Sequence, residues 1–339
     1  MSDQIRQIAG EWAVDFAFSS SPVRARRALF LVNPKARLLG SVLGERYLAQ
    51  VRDTLNAGGI ELTEVVCTLS VSFSDTIRRR AVDHDLVIIC GGDGTLNSAA
   101  LGLADMDVPL GVVPLGTAND FARTLSIPSD PVAAARLIVT GTPRPVDLGE
   151  VNGHPFLNVA SIGFSAELAR ALTANAKRRW GVLGYAITAL RLLARARPFT
   201  ARIEHDGVVE TVRTLQVSVG NGRYYGGGMT ISDTATADDG ALDFSSLEVS
   251  HWWHLLRLLP SLRRGTHHRW EAVRAFRTTQ VGVSSRRPRA VNTDGELTTW
   301  TPACFRIRPG ALRVYAPAGP SSAMGGSRRM PAFSSSCEW

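Results

Sequence analysis

A glycine-rich run at residues 90–97, Cys-Gly-Gly-Asp-Gly-Thr-Leu-Asn, directly follows an apolar stretch and directly precedes a helical pattern. Three glycines within four positions allow the backbone to turn sharply with positive φ and allow its N–H groups to approach an anion closely. The positive end of the following helix dipole adds to that attraction. The run therefore predicts a phosphate-binding turn between a strand and a helix, although Gly-Asp-Gly also forms ordinary turns.

Strand-like and helical segments alternate over the first half of the chain. Apolar runs at residues 28–32, 61–67, 86–89 and 110–113 are separated by helical patterns at residues 42–55, 75–82 and 96–103, and short helices are expected as far as residue 139. This alternation predicts βαβ units in an open, mostly parallel sheet, whose loops cluster at the carboxyl ends of the strands.

The pattern changes after about residue 145. Short β-like runs, separated by turn residues, occur at residues 156–160, 201–205, 211–219, 241–249, 280–283, 305–308 and 312–315, with helical stretches at 166–176, 182–196 and 252–264. We predict an N-terminal extension over residues 1–27, an α/β domain over 28–145, a mainly antiparallel β domain over 146–318, and a disordered tail over 319–339.

Charge and composition narrow the classes of partner and compartment. The 339 residues carry a formal net charge of +8, which suits an anionic partner such as a nucleotide, a nucleic acid or an acidic membrane surface. The four cysteines are widely scattered and fit a reducing compartment, and no apolar run reaches membrane-spanning length. These features predict a cytoplasmic protein, with peripheral contact to the inner face of the membrane left open.

Other polar loops are expected at the same edge of the predicted parallel sheet. The sequence Gly-Thr-Ala-Asn-Asp at residues 116–120 follows one strand, Asn33 follows the first strand, and Thr68 ends the second. Each is explained equally well by a capped turn or a strand end when taken alone. Together they favour a nucleotide site in the crevice at the strand ends.

Two turns in the second half carry carboxylates. Asp239 precedes a glycine in what is either a hairpin turn or an oxygen-rich site suited to Mg²⁺. Glu296 follows Asp294 and Gly295 in another tight turn, where it could accept the proton of an attacking hydroxyl during phosphoryl transfer. That reaction requires Glu296 to meet Asp93 across the two domains.

Several widely separated motifs, in this order, resemble the bacterial diacylglycerol kinase and lipid kinase family, which is related to sphingosine kinases and NAD kinases. The resemblance covers roughly residues 28–317. It is carried by Asn33-Pro34, the run from Gly91 to Asn97, the loop from Pro114 to Asp120, Asp147-Leu148-Gly149, Gly163-Phe164, the run from Asn221 to Gly228, Asp239-Gly240 and Asp294-Gly295-Glu296.

The resemblance implies an N-terminal domain like that of NAD kinase or phosphofructokinase and a β-sandwich C-terminal domain. It also implies ATP- and Mg²⁺-dependent transfer of a phosphoryl group to a lipid hydroxyl, that of diacylglycerol or a related lipid alcohol such as a sphingoid base. In that reaction Glu296 would be the general base and Asp93 would lie at the phosphates. A structural Mg²⁺ would be held by Asp239 with the carbonyl groups of Thr236 and Ala241. The expected nucleotide contacts are Asn33, Thr68, Gly91, Gly92, Asp93, Gly94, Thr95, Leu96, Asn97, Thr117, Asn119 and Asp120.

The chain also departs from the family pattern, at Ser98, at Lys35-Ala36 and at Ser165, which leaves the choice of lipid open. A soluble-substrate kinase of the NAD-kinase type and a non-catalytic module that binds nucleotide or nucleic acid remain alternatives. The sequence contains no RNA-binding aromatic motif, so nucleic acid is not the expected partner. The sequence leaves a homodimer open.

Overall fold

The computed structural model describes residues 26–34, 36, 42–67, 72–174, 194, 196–232, 235–249, 260, 261 and 263–318. The predicted site residue Thr68, the predicted tail, nearly all of the predicted N-terminal extension, and most of the predicted helices at 182–196 and 252–264 lie outside the described residues.

The first half is an α/β unit with a parallel sheet, which confirms the predicted fold class. Its strands pair in the order β2-β1-β3-β4, all parallel. Every residue of the third strand is buried, because helices cover both faces of the sheet. In chain order the elements are β1 (Arg26–Val32), α1 (Val42–Ala57), β2 (Ile60–Val66), α2 (Phe73–Arg80), β3 (Leu86–Gly91), α3 (Asp93–Met106), β4 (Leu110–Pro114), α4 (Asp120–Thr124) and α5 (Pro131–Thr140).

The second half is mainly antiparallel, again as predicted. Its elements are β5 (Pro143–Val151), β6 (His154–Phe156), β7 (Val159–Gly163), α6 (Phe164–Ala174), β8 (Phe199–His205), β9 (Val208–Thr214), β10 (Gln216–Gly220), β11 (Tyr224–Tyr225), β12 (Met229–Thr230), β13 (Leu242–Leu247), β14 (Val273–Thr278), β15 (Gln280–Ser285), β16 (Ala290–Thr293), β17 (Glu296–Trp300) and β18 (Ala303–Tyr315).

Two sheets pack face to face in this half. The six-stranded sheet has the order β14-β13-β10-β7-β16-β17. Alternate residues on one of its faces, such as Ile162, Val217 and Phe244, form a core with Val283 and Phe305 of β15 and β18. The result is a β-sandwich.

The last strand joins the two halves of the chain. β18 pairs with β15 and β5 in antiparallel fashion, and its end pairs with β4 in parallel fashion, so that one sheet runs β2-β1-β3-β4-β18-β15-β8-β9. Leu312 and Val314 lie in the core of the α/β unit. The C-terminal strand therefore completes the N-terminal sheet.

Three strand predictions were wrong in detail. The predicted strands at 305–308 and 312–315 are one strand with an irregularity between Arg308 and Leu312. The predicted strand at 211–219 is two strands that break at Leu215, whose carbonyl oxygen accepts a hydrogen bond from the N–H of Phe164. The predicted strand at 156–160 is interrupted, because residues 157 and 158 form a turn between β6 and β7.

Candidate active site

The loops that follow β3 and β4 pack backbone against backbone. A Cβ atom at Gly92 would lie 2.8 Å from the Cα of Gly116, and a Cβ at Gly116 would lie 2.6 Å from the Cα of Gly92. The N–H of Leu115 also donates to the carbonyl oxygen of Gly91 at 2.9 Å. Glycine is required at both positions because a side chain at either one would separate the two loops.

Asn33 brings the end of β1 to the glycine-rich loop. Its Nδ2 donates to Oγ1 of Thr95 at 2.8 Å. Thr95 in turn fills the space above Gly91, where a Cβ would lie 2.7 Å from the Thr95 side chain. The predicted site residues Asn33, Gly91 and Thr95 therefore form one contact network.

The amino-terminal end of α3 is open toward an anion. The helix begins at Asp93, and its N-cap residue, Gly92, supplies no capping side chain. A Cβ at Gly94 would have no heavy atom within 4 Å, and Thr117 on the neighbouring loop is exposed. Unsatisfied N–H groups at a helix start attract phosphate groups, so this end of the helix fits the predicted phosphate site.

Two other predicted nucleotide contacts, Leu96 and Asn119, are already engaged within the protein, and a third, Asn97, is buried. Leu96 lies in the hydrophobic core, whereas Asn97 is 8% exposed and its Oδ1 has no hydrogen-bond partner among the described residues. The Oδ1 of Asn119 accepts a hydrogen bond from the N–H of Gly116 at 3.0 Å, and its Nδ2 donates back to the carbonyl oxygen of Gly116 at 3.3 Å. Asn119, with a φ of 50°, thus closes its own loop.

The negative charge of Asp93 affects the pKa values of two buried carboxyl groups, those of Asp120 and Asp294. The Oδ1 of Asp93 accepts a hydrogen bond from the N–H of Phe121 at 3.0 Å. Burial raises the pKa of Asp120, and the negative charge of Asp93 raises that pKa further, against the hydrogen bonds from Gly227 and Gly228. Burial also raises the pKa of Asp294 to about 6, and the charge of Asp93 again acts in the same direction.

The hairpin of β16 and β17 is linked to α4 through Asn158. Asp294 and Gly295 form the two-residue turn, with φ values of 49° and 100°, and Glu296 is the exposed first residue of β17. The N–H of Asn158 donates to Asp294, and its carbonyl oxygen accepts from the N–H groups of residues 221 and 222, in a loop that also contacts α4. The turn is therefore tied to the loop that follows β4, and the meeting of Glu296 with Asp93 stays a prediction.

Asp294 anchors that turn. Its carboxylate accepts hydrogen bonds from three consecutive backbone N–H groups, those of Leu157 at 2.6 Å, Asn158 at 3.0 Å and Val159 at 2.9 Å. Sequence reasoning grouped Asp294 with Glu296 but gave it no role. An Asp-Gly pair is an ordinary hairpin signal, so no local pattern reveals this long-range contact.

The glycine-rich loop at residues 221–228 is hydrogen-bonded to α4. The N–H of Gly227 donates to Oδ2 of Asp120 at 2.8 Å, and the N–H of Tyr224 donates to Oγ1 of Thr124 at 3.2 Å. The guanidinium group of Arg123 lies 4.6 Å from the centre of the Tyr224 ring. Asp120 therefore connects the nucleotide-side loops to the second half of the chain.

The predicted metal residues lie together, but the carboxylate among them is already paired. The hydroxyl of Thr236 donates to Oδ2 of Asp239 at 3.0 Å, and the N–H of Ala241 donates to its Oδ1 at 3.1 Å. Arg277 forms an ion pair with the same Oδ2 at 2.5 Å. With donors on both oxygens, Asp239 does not fit a cation ligand unless Arg277 moves, and among the described residues no cluster of three acidic, histidine or cysteine side chains suits a metal.

Asp147 is a further buried carboxylate that the sequence motif contained without a role. Its Oδ1 accepts from the N–H of Gly310 and its Oδ2 from the N–H of Gly240, both at 2.7 Å. Burial raises the pKa of Asp147. Asp147 holds the irregular part of β18 and the turn that contains Asp239 against β5.

These features define a class of protein in which a parallel α/β sheet with glycine-rich loops at its strand ends contacts a β-sandwich that has a carboxylate-bearing hairpin. Residues 27–151 match the family model of the diacylglycerol kinase catalytic domain. Residues 158–316 match the YegS C-terminal NAD kinase beta sandwich-like domain.

Individual relatives agree with these matches. A diacylglycerol kinase of Bacillus subtilis (strain 168) is 31% identical over 284 residues, which cover 83% of this chain and 93% of the relative. A diacylglycerol kinase of Mycobacterium tuberculosis (strain H37Rv) is 37% identical over 243 residues, covering 69% and 77%. A solved structure from Bacillus anthracis str. Sterne, assigned to the diacylglycerol kinases, superposes with a TM-score of 0.76 at 28% identity and covers 88% of this chain and 98% of its own.

The chain therefore belongs to the bacterial diacylglycerol kinase and lipid kinase family, and it is an enzyme of the lipid kinase class. Among the residues that the structure describes, no helix is both long and apolar enough to cross a membrane.

Proposed function

We propose that this enzyme transfers the γ-phosphoryl group of Mg·ATP to a lipid hydroxyl, that of diacylglycerol or a related lipid alcohol. The observation that carries the proposal is a chain of hydrogen bonds between the two halves. Asp294, on the turn that presents Glu296, accepts from the N–H of Asn158, whose carbonyl oxygen accepts from residues 221 and 222. Gly227 of the same loop donates to Asp120, beside the loop that follows β4. A phosphoryl transfer needs a phosphate site and a proton acceptor at one place, and in this proposal the loops joined by these bonds supply both.

The nucleotide would lie along the loops after β1, β3 and β4. Its phosphates would accept hydrogen bonds from the open first turn of α3 near Gly92 and Gly94, with Thr117 exposed beside them. Asn33, through its contact with Thr95, fixes the shape of this loop.

The carboxylate of Asp93 fits the magnesium ion that accompanies ATP, whereas both oxygens of the buried Asp120 are already engaged, by the N–H of Gly227 and by the guanidinium group of Arg123. Asp93 has one oxygen committed to Phe121, and its other oxygen accepts no hydrogen bond from the described residues. Mg²⁺ prefers a few carboxylate oxygens together with phosphate oxygens, and when bound it neutralises charge that develops on the transferred group. At the separate Asp239 site, Mg²⁺ would have to compete with Arg277 for the carboxylate. No step of the proposed reaction depends on a metal ion there.

Glu296 would act as the general base. Its exposed carboxylate begins β17, and the hydrogen bonds of Asp294 hold the turn before it. In this proposal the γ-phosphate would lie beside that carboxylate. The lipid oxygen would form a bond to the γ-phosphorus as the bond to the β,γ-bridging oxygen breaks, and the hydroxyl proton would pass to Glu296. ADP and a phosphorylated lipid result.

The lipid acceptor implies a place of action. A lipid alcohol resides in a membrane, so we propose that the enzyme acts at the cytoplasmic face of the membrane through peripheral contact. The formal charge of +8 favours approach to an anionic surface.

Transfer of labelled γ-phosphate from Mg·ATP to a panel of acceptors tests this proposal. The panel contains dioctanoylglycerol, ceramide and sphingosine in mixed micelles, together with NAD in solution. We expect labelled dioctanoylglycerol and unlabelled NAD. Label on NAD alone would establish the soluble-substrate alternative, and salt-dependent binding to nucleic acid without any transfer would favour a non-catalytic module.

A further inference from the structure

A small cavity of about 100 Å³ lies between α6 and the hairpin of β16 and β17, and we call it the α6 cavity. Three small residues, Gly163, Ala166 and Ala290, leave room for it. Trp300 pairs with Ala290 across the hairpin, forms another wall of the cavity and is 52% exposed. The α6 cavity is therefore reachable from solvent, and its described lining includes no residue of the loops after β1, β3 and β4.

Two guanidinium groups and one carboxylate line the α6 cavity. Glu167 and Arg170 belong to α6, and Arg289 directly precedes β16. Among the described residues no other acidic or basic side chain is part of the lining, so positive charge is in excess there. An excess of positive charge attracts an anion and disfavours a cation.

The guanidinium group of Arg289 is only weakly paired within the protein. Its Nη1 lies 3.7 Å from Oε1 of Glu167, which is beyond hydrogen-bond distance, and its carbon atom lies 3.9 Å from the centre of the Phe199 ring. Burial lowers the pKa of Arg289, and the charge of Glu167 offsets this effect only in part. Within the part of the chain that the structure describes, no hydrogen bond engages this guanidinium group, so its N–H groups can serve an anionic acceptor.

Arg170 lines the same space from the side of the helix. Its guanidinium carbon lies 5.3 Å from the centre of the Trp300 ring, within the range of a cation–π contact. Stacking on an aromatic ring uses the face of a guanidinium group and leaves the N–H groups at its edge for hydrogen bonds. Two arginines from two separate elements thus border one small space.

The size and charge of the α6 cavity favour a phosphate group as ligand. At about 100 Å³ the cavity is far smaller than the pockets of roughly 300–1,000 Å³ that enclose whole drug-sized ligands. Arginine matches the oxygens of a phosphate in a bidentate manner, and one phosphate has enough acceptor oxygens for both guanidinium groups. A carboxylate has only two oxygens and one charge, so two arginines beside Glu167 suit it less well.

We propose that the α6 cavity binds a phosphate group through Arg170 and Arg289, with Trp300 as its wall. The chemistry is that of a phosphate monoester, carried either by a soluble compound or by a lipid headgroup. Binding replaces the long contact between Arg289 and Glu167 and joins α6 to the hairpin that carries Glu296. The site is separate from the proposed nucleotide site and does not depend on the kinase reaction.

Thermal shift and tryptophan fluorescence titrations test the site on the full chain. The ligands are inorganic phosphate, glycerol 3-phosphate and monomeric dioctanoyl phosphatidic acid, with acetate at equal ionic strength as the anion control. Each titration is repeated with the β,γ-imido analogue of Mg·ATP at saturating concentration, which occupies the proposed nucleotide site.

Four variants accompany the wild type: Arg170→Gln, Arg289→Gln, Glu167→Gln and Trp300→Phe. Arg287→Gln is the matched control, because Arg287 is an exposed arginine two residues from Arg289 and lies outside the described lining. It changes the net charge by the same amount as Arg289→Gln.

We expect the wild type and Arg287→Gln to bind glycerol 3-phosphate equally, with or without the nucleotide analogue. Arg170→Gln and Arg289→Gln should each bind at least about tenfold more weakly, because each loses a charge-assisted contact. Glu167→Gln should bind about threefold more tightly, since a competing carboxylate is removed, and a misfolded protein would not show such a gain. The fluorescence change should be smaller in Trp300→Phe.

Several results would overturn the site. Equal weakening in Arg287→Gln and Arg289→Gln would reveal only an effect of net charge, and an acetate response as strong as the phosphate response would remove the specificity for phosphate. A response that the nucleotide analogue abolishes would place the ligand at the nucleotide site. If these tests are passed, phosphatidic acid that binds more tightly than glycerol 3-phosphate assigns the site to a lipid headgroup, and equal binding assigns it to the phosphate group itself.

Discussion

Asp294 holds the turn that carries Glu296 by accepting hydrogen bonds from the N–H groups of residues 157, 158 and 159. A carboxylate is suited to this task because it has only acceptor sites and can face three donors at once. An asparagine would turn an N–H group toward the same donors. The side chain thus works by positioning Glu296 and does not itself need to contact the lipid.

We therefore expect Asp294→Asn to lower the free energy of unfolding by about 1–3 kcal/mol, the usual cost of unpaired buried donors. It should also lower kcat at least about tenfold with little change in the KM for ATP, since the nucleotide loops stay intact. Urea denaturation and steady-state kinetics measure the two effects, with the exposed Asp83→Asn as control. A normal kcat in a destabilised Asp294→Asn protein would remove the positioning role.

Asp243 gives a pH-dependent prediction. Burial raises its pKa from 3.8 to about 6, the charge of Asp239 adds to the rise, and Arg277 opposes it. The folded state therefore binds this proton more tightly than the unfolded chain, so stability from this group is full below about pH 4 and is lost as pH rises toward 6.

Asp243→Asn removes that dependence. Relative to wild type, the free energy of unfolding of Asp243→Asn should increase by about 1–2 kcal/mol between pH 4 and pH 7, so the variant gains stability relative to wild type as pH rises. Urea denaturation at several pH values measures the difference between the two proteins. A difference that does not change with pH, or that changes in the opposite direction, would contradict the raised pKa.

At the scale of elements, the contact between the loops after β3 and β4 depends on two glycines with different surroundings. A Cβ at Gly116 would lie 2.6 Å from the backbone of Gly92, whereas a Cβ at Gly94 would meet nothing within 4 Å. Gly94 also lies inside α3, where alanine is favoured over glycine. A substitution at Gly116 therefore tests the packing of the two loops, and a substitution at Gly94 tests the space left for the phosphates.

Gly116→Ala should lower the free energy of unfolding by about 1–3 kcal/mol, because the new methyl group would clash with the backbone of Gly92 and force the two loops apart. Gly94→Ala should leave thermal stability unchanged or slightly higher and should weaken ATP binding, since a methyl group there would face the phosphates. Thermal melting and ATP titration of both variants provide the comparison. Tight ATP binding by Gly94→Ala would argue that the phosphates lie elsewhere.

The turn at Asp239 yields a prediction about metal removal. Arg277 already supplies positive charge to Asp239 and lies 3.7 Å from Asp243. Chelation by EDTA should therefore leave the melting temperature of the wild type unchanged. Arg277→Gln should melt at a lower temperature than wild type and should regain stability when Mg²⁺ is added. A wild-type melting temperature that falls on EDTA treatment would show that Mg²⁺ displaces Arg277.

The elements also show where sequence reasoning succeeds and where it does not. The apolar runs of β1, β3 and β4 are uninterrupted, β2 alternates with polar residues, and helical patterns separate all four, so the sequence predicts their order. The sequence predicts two strands where β18 is one, because β18 contains Pro309 and Gly310. Gly310 has a φ of 59°, and its N–H donates to Asp147 Oδ1, so the strand continues through the irregularity with support from a residue 163 positions away.

At the scale of the whole molecule, β18 makes the two halves of the chain one sheet. It pairs with β4 of the α/β unit and with β5 and β15 of the second half. This shared strand, with the contact between Asp120 and Gly227, fixes the relative position of the loops that face the cleft. The position of the Asp294 turn relative to the loops after β3 and β4 depends on these long-range contacts. The pattern of residues along the chain therefore suggests both groups but does not fix their relative position.

The most direct test of the account is the rate of γ-phosphate transfer from Mg·ATP to dioctanoylglycerol by the wild type and by Glu296→Gln. Glu61→Gln, an exposed glutamate on the edge strand β2, is the matched control. We predict that Glu296→Gln loses at least about a hundredfold in kcat, in line with the loss of a general base, while binding ATP as the wild type does. Undiminished transfer by Glu296→Gln would contradict the claim that the two halves of the chain supply one catalytic site.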